Sequence, residues 1–177
     1  MRHRRGEILL STEAQLDFAW HAHQANVEWV RGVDQKASIV LVFATALAGL
    51  VADQALSSDG ALSEASGVRL AAVIATGVLF AAAALLSLLV VRPQLRRGAV
   101  KSEARSGLVY FGHLHHRSPA EVERALEALT ASEARADLAR QLAQHGDIGW
   151  RKHRRLQWSL NVLVLGVVAL ALARFVL

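Results

Sequence analysis

Apolar positions along the chain gather into three uninterrupted runs divided by charged segments. Ala37–Ala52, Leu70–Val91 and Trp158–Ala173 contain no Asp, Glu, Lys or Arg. At 1.5 Å per residue the middle run extends roughly 33 Å, enough to cross a bilayer core of about 30 Å. The outer runs are shorter, but each adjoins apolar residues that lengthen it: Ala55 and Leu56 after the first, Phe175–Leu177 after the last. The pattern therefore predicts transmembrane helices over 37–56, 70–91 and 156–177. A soluble bundle with very apolar core helices is the alternative. Against it, Ala71–Val91 shows no polar face at helical spacing, which a water-facing helix requires.

The flanking segments are amphipathic. Leu16, Trp20, His23, Val27, Val30 and Asp34 recur at steps of three or four, the mark of a helix with one largely apolar face. Thr12 with Gln15 has the form of a capping box. Only Gly32 interrupts the path onward to Ala37, so one helix of about 40 residues is expected, ended by Asp53 and the turn Ser57-Ser58-Asp59-Gly60. The second span stops at Arg92-Pro93, since the residue before proline disfavours the α region. Val100–Leu114 reads as helix or strand, and His115–Ser118 as a loop. Ser118, Pro119 and Glu121 supply an N-cap, a proline at N1 and a glutamate at N3. Val122, Ala125, Leu126 and Leu129 follow at helical spacing, predicting a short helix packed on something. Thr130 and Glu133 open a further helix through Leu138, Leu142 and His145. No proline follows, so it is expected to run into the third span despite Gly146 and Gly149, each costing ~1 kcal/mol relative to Ala in an exposed helix. The expected fold is all-α: three transmembrane helices, the first and third extended by long cytoplasmic helices, with a small helical cytoplasmic region between spans two and three.

Charge orients this arrangement. Residues 1–36 carry five Lys or Arg and residues 92–155 carry thirteen, whereas the hairpin 57–69 carries only Arg69. Lys/Arg-rich flanks stay in the cytoplasm. The expectation is a multi-pass inner-membrane protein whose N-terminal helix (1–36) and helical region 92–155 face inward, with the 57–69 hairpin and the C-terminus outside. The net charge of +5 arises almost wholly in 92–155, which suits acidic head groups or a phosphate-bearing ligand. The chain has no cysteine, so thiol catalysis and Cys-type zinc sites are excluded. The first apolar run begins after residue 36, too late for the h-region of a signal peptide.

Few residues offer chemistry. His113, His115 and His116 are clustered, but a helical metal site prefers i, i+4 spacing and the nearby Glu121 and Glu123 have no fixed relation to them, so no metal is expected. Arg151-Lys152-His153-Arg154-Arg155 before Trp158 reads as the ordinary anchor of an inner membrane boundary. Its cations lie against the bilayer rather than over an aromatic-interleaved face, which argues against nucleic-acid binding. Asp34 and Lys36 flank the entry to the first span. They do not face one another, and a carboxylate near lipid wants a partner such as Arg31 or a residue of another helix. No Gly-rich phosphate loop, Ser/His/Asp arrangement or zinc motif is present, so no catalytic residues are expected and the chain reads as a non-enzyme.

Three motifs, interleaved with the spans, carry a resemblance. Val33-Asp34-Gln35-Lys36-Ala37-Ser38, Tyr110-Phe111-Gly112-His113-Leu114 and Asp137-Leu138-Ala139-Arg140-Gln141-Leu142 stand in the order seen in the transmembrane effectors of Pycsar, and the likeness covers residues 27–177. Gly146–Arg155, with two glycines and a basic run, departs from the plainer helix of that family. The resemblance implies an effector activated by a cyclic pyrimidine nucleotide, cyclic UMP or cyclic CMP. A partner uridylate or cytidylate cyclase, which need not touch it, makes the nucleotide on phage infection. The effector then impairs the inner membrane and the cell dies before phage is released.

Such a ligand offers one phosphodiester charge, a planar base and a few hydrogen-bonding edges. It asks for a cation, a stacking plane and an amide or imidazole. Arg140, Tyr110 or Phe111, and Gln141 or His113 supply those types in the 92–155 sensing region. Tyr110 and Phe111 serve equally as core packing. Asp34 and Lys36 are candidates for coupling at the membrane entry. A three-span monomer encloses no pore, so a homo-oligomer is expected, with Ala44/Ala48 and Ala71/Ala75 as small-xxx-small surfaces. Two other classes compete: a constitutive scaffold recruiting a protein through its cytoplasmic helices, and a metal-dependent membrane enzyme centred on the three histidines.

Overall fold

Three long helices dominate the computed structural model, which describes residues 10–56, 67–93 and 107–175. They are α1 (Thr12–Leu56), α2 (Gly67–Val91) and α5 (Ala131–Phe175); α3 (Phe111–Leu114) and α4 (Pro119–Glu127) are short. No proline interrupts the long helices, and no strand occurs among the described residues. The chain is all-α, and α1, α2 and α5 are each long and apolar enough to cross a membrane. The turn expected at residues 57–60 lies outside the described residues.

Helix ends follow local chemistry. The cap of α1 sits one residue before the expected box: Ser11 Oγ accepts from the Ala14 N–H, and the Gln15 amide donates to the Leu10 carbonyl. Ser118 and Glu121 form a reciprocal capping box on α4, and Thr130 and Glu133 do the same for α5. Gly146 and Gly149 leave α5 unbroken for 45 residues. Of the segment Val100–Leu114, which reads as helix or strand, residues 107–110 are irregular backbone and 111–114 form the single turn of α3; residues 100–106 lie outside the described residues.

Two packed units divide the chain, Met1–Trp29 with Gln94–Ile148 and Val30–Pro93 with Gly149–Leu177. In the apolar unit, Ala37, Val40, Val90 and Leu156 form a core joined by Val33, Val91 and Leu163. Gly166 lies so close to Phe80 that a Cβ there would come within 2.8 Å of the ring. Ser159 Oγ donates to the Ala83 carbonyl at 2.7 Å, which leaves the Ser87 hydroxyl to donate to Ser159 at 2.8 Å. Thr76 donates to the Ala72 carbonyl. Outward, Val42, Phe43 and Leu50 of α1, Val78 and Leu85 of α2, and Val164 and Leu172 of α5 are exposed, the side chains a lipid phase would cover. Ala44 is wholly buried inside this unit, so the Ala44/Ala48 surface is spent on internal packing, whereas Ala71 and Ala75 stay exposed.

Candidate functional site

In the polar unit the interior carries titratable groups rather than hydroxyls. Asp137, Gln141 and His145 stand one turn apart on α5, a spacing that puts them on one face. Asp137 and Gln141 are buried, Gln141 to 2% exposure. Against them stands α1: the rings of His23 and His145 meet edge to face at 4.9 Å, Trp20 lies 5.8 Å from His23, and Arg135 donates to Gln15 Oε1. Burial and the neighbouring His145 push the His23 imidazole below its ordinary pKa, with Asp137 opposing them.

Asp137 organises the segment leading into α3. Its Oδ2 accepts the backbone N–H groups of Leu108 at 2.7 Å and Val109 at 3.1 Å, and its Oδ1 faces the Arg140 guanidinium at 3.5 Å. The approach is so tight that a side chain at Gly107 would collide with the carboxylate. Tyr110 then folds its ring over Gly112, where a Cβ would clash, and meets Phe111 at 4.8 Å and His113 at 5.1 Å. Two of the three motifs thus converge in one unit, the aspartate of one strapping down the chain that enters the other.

A groove of about 380 Å³ opens beside this strap. Arg117, Asp137, Arg140 and Glu133 supply its charges, and Leu108, Leu129 and small alanines its surface. Thr130 hydrogen bonds hold the Glu133 carboxyl below its usual range and fix it as a cap. Of the sequence candidates, Arg140 lines this groove and is half-exposed; Gln141 and His113 are buried; Tyr110 is half-buried and Phe111 exposed. His115 and His116 meet edge to face at the surface, away from the burial that encloses His113. Among the described residues no three His, Asp or Glu side chains are grouped to hold a metal. The α4 face expected to pack stays largely open, with Leu126 57% exposed.

In the apolar unit the first motif finds its partner. Lys152 Nζ donates to both carboxylate oxygens of Asp34, at 2.6 and 2.8 Å, and the lysine is only 6% exposed. Lys36 faces outward. The basic run is therefore not a uniform boundary anchor: Lys152 turns inward, and Arg155 donates to the Leu89 carbonyl near the C-terminus of α2, where a cation is favoured. Sequence reasoning passed over Asp137 and Lys152 as site residues. A signal existed: Lys152 is 15 residues, close to four whole turns, beyond Asp137, which places both on one stripe of α5.

A family model for the Pycsar effector protein domain (PycTM) matches residues 18–177. No curated protein and no solved structure matches the chain. The matched span takes in α2 and α5 whole, α1 from Phe18 onward and so parts of both packed units, and the chain belongs to the Pycsar effector family of antiphage membrane proteins.

Proposed function

We propose that the polar unit binds a cyclic pyrimidine nucleotide, cyclic UMP or cyclic CMP made by a partner cyclase, and that binding rearranges or assembles the apolar unit so that the inner membrane fails and the infected cell dies. One observation carries the reading. Among the described residues, three buried polar atoms lack a hydrogen bond, His23 Nδ1, His113 Nδ1 and Asp137 Oδ1, the last facing only the Arg140 guanidinium at 3.5 Å, and all three lie in the polar unit. A buried group left without a hydrogen bond costs about 1–3 kcal/mol, offset in part at Asp137 by the Arg140 ion pair. A ligand or a second arrangement that satisfies these atoms would relieve that cost.

The route to the membrane is covalent. Both α1 and α5 contribute to each unit as unbroken helices, and the Asp34–Lys152 pair joins them in the apolar unit. A nucleotide shifts this equilibrium only by its differential affinity for the two states. The segments 1–36 and 92–155 face the cytoplasm in this reading, where the nucleotide is made, and several copies assemble because one cannot enclose a pore. The exposed α4 face favours a second reading, a scaffold that recruits a protein partner. Binding of cyclic UMP and cyclic CMP to the detergent-solubilised protein, with cyclic AMP as control, separates them. Micromolar affinity for one pyrimidine nucleotide is expected; no affinity for either, with partner recruitment lost on Leu126→Asp, would leave the scaffold.

A further inference from the structure

We infer that the phosphodiester of the nucleotide seats in the groove between Arg117 and Arg140, a site that rests on the proposed nucleotide reading and adds Arg117 to it. The two arginines come from different elements, the turn after α3 and the third turn of α5, and line one concavity. Guanidinium is the group best matched to phosphate oxygens, since its planar fork donates to two at once. The groove's size falls in the range of small-ligand pockets. Its surface between the charges is Leu108, Leu129, Ala125, Ala128 and Ala136, small or flat enough to take a planar base.

The groove also contains a switchable contact. Arg140 lies 3.5 Å from Asp137 Oδ1, longer than a charge-assisted hydrogen bond, and that oxygen has no hydrogen bond. An arriving phosphate offers Arg140 shorter bonds. Asp137 keeps the Leu108 and Val109 N–H groups on Oδ2, so the strap survives while the arginine changes partner. Binding is thereby felt on α5, the helix that continues into the apolar unit.

The test is nucleotide titration of the full chain in detergent, comparing wild type with Arg117→Ala, Arg117→Lys and Ala136→Phe, each checked for helix content and melting temperature. Ala136 is exposed and lines the groove, so its substitution fills the space without removing a charge. The expected result is pyrimidine-nucleotide affinity reduced at least about tenfold by Arg117→Ala, partly rescued by Arg117→Lys, and reduced by Ala136→Phe. Wild-type affinity in both folded Arg117→Ala and Ala136→Phe would overturn this placement and leave the nucleotide reading standing. No affinity in wild type would overturn both. Glycerophosphoglycerol, a lipid headgroup phosphodiester, serves as the second probe; saturable binding of it in place of nucleotide would assign the groove to lipid and reject the inference.

Discussion

The two packed units solve the same problem, burying polar groups between helices, in opposite ways. In the apolar unit the buried polar side chains are small or matched: Ser87 with Ser159 and Ala83, Thr76 with its own helix, Lys152 with Asp34. In the polar unit they are His23, His113, Asp137 and Gln141, and the three titratable ones each keep an atom without a hydrogen bond. A fully satisfied polar network fixes one arrangement, whereas a partly satisfied one leaves a cost that a second arrangement can relieve. The apolar unit is settled in this sense; the polar unit, which the proposal makes the sensor, is not.

The largest expected effect comes from unsettling the settled unit. Asp34→Ala strands the buried Lys152 cation and is expected to cost about 3 kcal/mol, the low end of the range for a buried pair because Asp34 is partly exposed. Thermal unfolding in detergent measures it, and the double variant Asp34→Leu with Lys152→Met is expected to recover most of the loss. In the polar unit, Asp137→Ala removes the acceptor of two backbone N–H groups and is expected to cost about 2–3 kcal/mol. Asp137→Asn, which keeps one acceptor oxygen, should cost less. Amide exchange at Leu108 and Val109 reports which contact was lost.

Gly166→Leu forces a side chain into the Phe80 ring and is expected to destabilise by about 1–3 kcal/mol through separation of α2 from α5. Ser87→Ala should be the mildest of the packing variants. Coupling with Ser159→Ala in a double-mutant cycle is expected near 0.6 kcal/mol, the ordinary value for interhelical hydrogen bonds in membranes.

Acid sharpens the contrast further. His23 is buried with a lowered pKa, so at this site the folded chain binds fewer protons than the unfolded chain as pH falls through about 6.5. Stability contributed by neutral His23 is complete above that pH, declines as pH drops toward the folded pKa, and stops declining below it. His23→Gln is expected to flatten this slope in a melting series across pH 7 to 5.

The three apolar runs were legible because lipid demands uncharged length, and the α4 and α5 starts because capping boxes are local. What the periodicity concealed was partnership across the fold. Asp34 announces a need for a cation, but only tertiary packing chooses Lys152, 118 residues away, over the nearer Arg31. Lys152 itself was camouflaged by four basic or imidazole neighbours that do face outward or toward a helix end. The Ser11 cap was missed because Ser11 and Thr12 are adjacent and equally able, and the choice between them turns on one residue of register. Gly107 and Gly112 became meaningful only when Asp137 and Tyr110 were seen pressed against them.

The central claim is that the polar unit senses a nucleotide and the apolar unit answers. It is tested most directly by dye release from liposomes carrying the reconstituted full-length chain, with cyclic UMP, cyclic CMP or cyclic AMP added. The account predicts release on addition of one pyrimidine nucleotide, none with cyclic AMP, and a shift to higher nucleotide concentration in Arg140→Ala. Release that is the same with and without pyrimidine nucleotide, or absent in both, would contradict it.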